Sequence, residues 1–165
     1  MKRFLLIFVL CLMALSMRSQ NQTVPEGYVD LGLPSGTLWK ASNESGFYDY
    51  DAAVKKFGTN LPSKKQWSEL MNYCTWIWTG SGYNVFGHNG KSIVLSALGL
   101  LDCGGDEYDA GTTGYYSSST PDGEEYEVET DAWYNGNAWF LLFSADNVDL
   151  DENPRCFYVS VRLVK

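Results

Sequence analysis

Apolar positions recur along this chain in three rhythms. The first is unbroken. From Phe4 to Leu15 nearly every residue is apolar, behind a basic start at Lys2 and Arg3. Such a run is too short for a stable membrane span and reads as a secretory signal peptide. Met17 and Ser19 take the minus-three and minus-one places, with cleavage before Gln20. Residues 1–19 are therefore expected to leave, and residues 20–165 to form one exported domain. A retained N-terminal anchor and lipidation at Cys11 stand as alternatives. Against lipidation, Leu10 occupies a place that needs a small residue.

The second rhythm is helical. Ser63-Lys64-Lys65-Gln66 spells a capping box, in which the serine hydroxyl accepts from the N3 amide and Gln66 reaches back. Trp67, Leu70, Met71 and Cys74 follow at i, i+3, i+4 and i+7, one face of a helix. Lys64, Lys65, Ser68, Glu69 and Asn72 lie off that face, and the helix is expected to end near Cys74 or Thr75. A second helical pattern runs from Asp49, a candidate cap, to Phe57, with Gly58 as its stop.

The third rhythm has period two and predicts strands. Short strands are expected at Tyr28-Val29-Asp30-Leu31 and Thr37-Leu38-Trp39-Lys40-Ala41, joined by a turn at Leu33-Pro34-Ser35-Gly36. Thr75 to Thr79, Tyr83 to Phe86 and Ser92 to Leu98 predict an antiparallel meander, with the most apolar run, Ser92 to Leu98, as a central strand. Leu101 to Gly114 reads as a glycine-rich loop. Further strands are expected at Gly114 to Ser119, Ala138 to Phe143, Asn147 to Leu150 and Tyr158 to Val164, with an exposed acidic insertion from Pro121 to Asp131. Short strands, two helices, then many strands is an α+β order. No linker or repeat divides it.

Charge narrows the partners. The chain carries a formal −8, which becomes −11 once the leader's three bases, Lys2, Arg3 and Arg18, are gone. Phosphate repels such a surface, so nucleic acid is not an expected partner. No second apolar span follows the leader, so no transmembrane segment is expected in the exported part. Cys74, Cys103 and Cys156 remain there. One disulfide with one thiol left over is open in three pairings, beside three buried thiols.

Candidate chemistry is sparse. The one histidine, His88, sits in the turn Gly87-His88-Asn89-Gly90, and Ser117-Ser118-Ser119 lacks a nucleophile-elbow pattern. No catalytic residue is assigned. Fourteen acids and no Lys or Arg fall between Asp102 and Glu152, which raises the question of a hard cation with oxygen ligands. Asp102, Asp106, Glu107 and Asp109 form one cluster. Asp146, Asp149, Asp151 and Glu152 form the candidate metal set. Asp149, Asp151 and Asn153 have the spacing that opens a calcium loop, but Pro154 follows and no acid stands where the bidentate ligand belongs. A solvated acidic face is the competing reading, and no cofactor other than calcium is considered. Aromatics are the other signal. Trp39, Trp67, Trp76 and Trp139 are expected in the core. Trp133 and Tyr134, beside Asp131, Asn135 and Asn137, are surface candidates that mix flat rings with amides, as sugar and protein ligands require.

Four segments together resemble one family: Gly27-Tyr28-Val29-Asp30-Leu31-Gly32-Leu33-Pro34-Ser35-Gly36-Thr37-Leu38-Trp39, Leu61-Pro62-Ser63-Lys64-Lys65-Gln66-Trp67-Ser68-Glu69-Leu70, Gly114-Tyr115-Tyr116-Ser117-Ser118-Ser119 and Val159-Ser160-Val161-Arg162-Leu163-Val164. The chain is similar to the Fibrobacter succinogenes major paralogous domain, common in exported proteins of Bacteroidetes-type bacteria. The resemblance implies a C-type lectin-like fold, two short helices packed on a curled antiparallel sheet. It places the ligand face in loops before the last strands, at Asp131 to Asn137 and Asp146 to Pro154. Ser42 to Asn60 is shorter here than the insert many relatives carry. The Glu-Pro-Asn motif of calcium-dependent lectins is absent, since Glu152-Asn153-Pro154 has another order. Nor does any motif move the cysteine chemistry of the related formylglycine-generating enzymes onto Cys103 or Cys156. The expected function is a non-catalytic binding module for a glycan or protein ligand at the cell envelope, in the periplasm, at the surface or secreted. A structural part of a surface assembly is the alternative, and a hydrolase or cysteine-dependent enzyme the third.

Overall fold

The computed structural model describes residues 23–122 and 136–165. The leader and most of the Pro121-to-Asp131 insertion lie outside the described residues. Two strands, β1 (Tyr28–Asp30) and β2 (Leu38–Lys40), precede helix α1 (Tyr50–Phe57), a 3-10 turn (Gly58–Asn60) and helix α2 (Lys64–Tyr73). Eight strands follow: β3 (Thr75–Trp78), β4 (Gly82–Phe86), β5 (Ser92–Ser96), β6 (Leu100–Leu101), β7 (Glu107–Tyr108), β8 (Gly114–Pro121), β9 (Asn137–Phe143) and β10 (Val148–Pro154). This is an α+β protein with small antiparallel sheets, ordered β1–β2, β3–β4–β5, β6–β7 and β8–β9–β10. Among the described residues, no helix is long and apolar enough to cross a membrane.

Both helices begin where their caps predict. Ser63 accepts from the Gln66 amide while Gln66 reaches back to the Ser63 amide, and Asp49 accepts from Ala52. Trp67 and Leu70 on α2 are fully buried, and Met71 and Cys74 pack against the same core. That core lies where α2 meets the β3–β5 and β8–β10 sheets, around Trp39, Val85, Leu95, Tyr116, Leu141 and Phe143. A second cluster forms round Tyr50 of α1 with Leu100, Ala138, Phe140 and Val159. Alternation along β9 sends Leu141 and Phe143 into the first cluster and Ala138 and Phe140 into the second. This middle strand is therefore buried on both faces, which accounts for its continuous apolar run. Gly114 pairs with Phe143, and a Cβ at Gly114 would clash with the Phe143 ring. Trp39 and Trp67 are wholly buried with ring centroids 4.6 Å apart, whereas Trp76 and Trp139 are half-buried.

Three expectations need correcting. Ser92 to Leu98 is not central: β5 is an edge, and β4 is the middle strand. Its apolarity reflects Ile93 and Leu95 facing the core, while Val94 between them stays exposed. Asn147 to Leu150 is the start of a longer strand, since β10 pairs with β9 as far as Pro154↔Asn137. Tyr158 to Val164 is not one strand. Consecutive residues bond to different segments: Val159 to Tyr48, Ser160 to Tyr115 and Ser117, Val161 to Glu44, Leu163 to Lys40. The alternation was real, but it records a segment threaded between layers. Lys165 and Leu38 exchange both backbone bonds at 2.9 Å, which seats the C-terminal segment against β2. The glycine-rich loop also carries more order than expected: β6 and β7 pair inside it, and Cys103 is joined to Cys156 with Cα atoms 5.1 Å apart. Cys74 is the thiol left over.

Arg162 is the one charged side chain in the buried interior among the described residues, 2% exposed. Its guanidinium donates to the Asn43 amide oxygen (2.9 Å), to the Lys40 carbonyl (2.7 Å) and to the Val94 carbonyl. Asn43 in turn donates to the Tyr116 hydroxyl (3.0 Å), which donates to the Ser96 carbonyl (3.0 Å). Burial pulls the arginine's pKa below its ordinary value, and Tyr116 works against that. Replacing Arg162 with Met strands these acceptors in the interior, and each stranded group costs about 1–3 kcal/mol. Urea titration should show a loss of roughly 3–5 kcal/mol, and Arg162→Lys should recover only part of it, because an ammonium cannot fork to three fixed acceptors. The disulfide closes a separation of 53 residues. Cys156→Ser should lower the same unfolding free energy by roughly 2–4 kcal/mol.

Candidate functional site

The Leu33–Gly36 turn and the outward face of α2 enclose an open groove of about 570 Å³. The turn is local chemistry: Gly36 has φ +74° and its amide returns to the Leu33 carbonyl at 2.9 Å. This aims Ser35 at the helix, where both its amide (2.8 Å) and its hydroxyl donate to the Glu69 carboxylate. With its hydrogen directed at Glu69, the Ser35 hydroxyl accepts from the Thr37 hydroxyl (2.7 Å), and Thr37 accepts from the Gln66 side-chain amide (3.5 Å). Gln66 is itself oriented by the capping box, its Oε1 accepting from the Ser63 amide at 2.9 Å. A chain of donors thus runs from Gln66 through Thr37 and Ser35 to a single carboxylate, each bond polarising the next. Lys65, Ser68 and Asn72 form the rim, and Tyr73, 46% exposed, closes one end with a flat ring.

The residues expected to form the ligand face are described only in part. Asp131, Trp133, Tyr134 and Asn135 lie outside the described residues. Asn137 opens β9, half-buried, with its carbonyl accepting from the Asp122 amide (3.2 Å). The acids near the end divide. Asp146 sits in the turn before β10. Asp149 and Asp151 share one face of β10, opposite Leu142 and Phe140 of β9, while Glu152 projects from the other face, opposite Trp139. Asp149 and Asp151 each accept from the next backbone amide, at 2.8 and 2.9 Å. In the other cluster Asp102 accepts from the Gly104 and Asp106 amides, and Asp109 from the Tyr115 hydroxyl (2.7 Å). Among the described residues, no three His, Cys, Asp or Glu side chains gather into a group that could hold a metal ion.

Sequence reasoning treated Lys65, Ser68, Glu69 and Asn72 only as the solvent side of a helix. The signal that they line a groove is the turn at Pro34-Ser35-Gly36, but its distance from the helix in sequence hid the contact. His88 stands in an exposed turn, whereas Ser117 and Ser118 are wholly buried in β8. The chain matches no family model, no curated protein and no solved structure.

Cys74, at the C-cap of α2, is half-buried. Burial, and then the nearby Glu69 charge, push its thiol up to about 11 from an ordinary 9.0. The thiolate is therefore scarce at neutral pH. Iodoacetamide at pH 8 should label Cys74 in the folded chain on the order of a hundredfold more slowly than in urea. Because the folded state holds the proton, the linked stability is complete below about pH 9 and is lost as pH rises through about 11. Tyr50 and Tyr83 are also raised by burial and act with the same sign. Denaturant melts should be flat from pH 7 to 8.5 and fall above 9.

Proposed function

We propose that this chain is an exported, non-catalytic binding module of the bacterial cell envelope, on a C-type lectin-like fold, and that the α2 groove takes a glycan. The observation that carries the reading is the pairing of Tyr73's exposed ring with a hydroxyl, amide and carboxylate floor. Sugars stack an apolar ring face on an aromatic and give their hydroxyls to amides and carboxylates. Ser35, Thr37 and Glu69 are already fixed by one another, so little ordering is needed on binding. The fold reading is supported by the capped helix lying on an antiparallel sheet and by the pairing of β2 with the C-terminal segment. The exposed His88 and buried Ser117 favour binding over acyl-transfer chemistry.

The test is a glycan array probed with the full chain, in calcium and in chelator, beside a thermal melt. Tyr73→Ala should lose at least about tenfold in affinity for the best glycan, with an unchanged melting temperature, because the ring is exposed. Binding to no glycan, or binding that Tyr73→Ala leaves intact, would remove the groove from consideration. A calcium-dependent rise in melting temperature that Asp149→Asn with Asp151→Asn abolishes would instead favour a cation on β10.

A further inference from the structure

The β3–β4–β5 sheet has two edges, and the chain treats them differently. Thr79 N–H donates to the Gly82 carbonyl (2.9 Å). By the antiparallel alternation, Thr75 and Ile77 then bond inward to β4, and the N–H and C=O groups of Trp76 and Trp78 point outward. On the other side Gly87 N–H donates to Lys91 (2.9 Å) and Ala97 N–H to Ser81 (2.8 Å), so Ser92, Val94 and Ser96 point outward from β5. Interior side chains occupy two of that edge's carbonyls: Arg162 donates to the Val94 carbonyl and Tyr116 to that of Ser96. On the β3 edge, among the described residues, nothing takes the outward groups of Trp76 and Trp78.

Strand edges are commonly blunted by lysine, proline or a bulge. Thr75-Trp76-Ile77-Trp78 has no lysine or proline, and its register with β4 is unbroken. No Asp, Glu, Lys or Arg occurs between Glu69 and Lys91. In a chain of formal charge −8, the hairpin itself is uncharged, with Asp146 near Tyr83 and Glu69 near Cys74 beside it. A second, equally acidic copy therefore meets less repulsion here than across the acid-rich stretch from Asp102 to Glu152. Ile77, 51% exposed, stands on the outer face of the sheet in register with Asn84 and Val94.

We propose that the β3 edge pairs two copies of this chain. The two strands run antiparallel about a twofold axis beside Ile77. Trp76 of each copy exchanges N–H···O bonds with Trp78 of the other. Ile77 then meets its own counterpart as a closely spaced, non-hydrogen-bonded pair. One continuous sheet runs through both copies. Its outer edges are the two β5 strands, where Arg162 and Tyr116 already occupy the Val94 and Ser96 carbonyls, which disfavours a third copy and closes the assembly at two. The α2 groove plays no part in this inference.

Sedimentation of the full chain over a concentration series tests it. The wild type should reach twice the chain mass. Ile77→Lys should weaken the dimer on the order of a hundredfold, since like charges then face each other, with an unchanged melting temperature at concentrations where both proteins are monomeric. Ile77→Cys, oxidised in air, should give a covalent dimer on a non-reducing gel, whereas Val94→Cys and the wild type should not. If Ile77→Lys melts low, the Ile77→Cys cross-link decides. A wild type that stays monomeric to about 1 mM overturns the proposal, as does a dimer that Ile77→Lys leaves intact or a failed cross-link. If an added neutral, extended peptide protects the Trp76 and Trp78 amides in a chain that remains monomeric, the edge belongs to a foreign strand and self-pairing is refuted.

Discussion

A guanidinium in the interior is the constraint on which the rest of this structure depends. Taking a charge out of water is costly, and among the described residues Arg162 has no carboxylate to offset it. Its compensation comes from neutral groups of separate segments: Lys40 at the end of β2, Asn43 in the following loop and Val94 on β5. These elements are far apart in sequence, and a small displacement of any one leaves a buried charge under-satisfied. The arginine therefore selects one arrangement of the layers over its near neighbours. The Asn43–Tyr116–Ser96 relay extends the same demand to β8.

The hydrophobic core alone is less selective. Its aromatic members form a connected set: Trp39 on Trp67, Trp67 edge-on to Tyr116, Tyr116 stacked on Phe143 and Phe143 edge-on to Tyr83. Ring pairs of this kind add only about 0.5–1.5 kcal/mol each beyond their burial, and both stacked and edge-on geometries are favourable. Polar bonds at fixed points then choose among them. Trp67, for example, donates its indole N–H to the Ser117 carbonyl (3.1 Å), which sets the rotation of α2 over β8.

Local signals in the sequence were legible, and non-local ones were not. The capping box at Ser63, the Asp49 cap, the turn at Leu33–Gly36 and the hairpins about Gly80 and Gly90 each depend on neighbours within a few residues. Those elements formed where expected. The status of β5 as an edge depends on which strand lies beside it, and composition carries no trace of that. Tyr158 to Val164 misled for the same reason: alternation shows which side chains are buried, not which backbone groups pair. The acids of β10 were grouped by proximity in sequence, but a strand's period of two parts Glu152 from Asp149 and Asp151. The groove was hidden because one of its walls is a turn and the other a helix more than a strand's length further along the chain.

Gly114 and Phe143 carry a consequence of another kind. The phenyl ring occupies the space into which any side chain at residue 114 would grow. Neither position can drift alone. A methyl at 114 has to be met by a smaller residue at 143, and a smaller residue at 143 opens a void unless 114 grows to fill it. Across any set of descendants of this chain, the two positions are expected to change together or stay fixed, as one unit of inheritance shared by two strands.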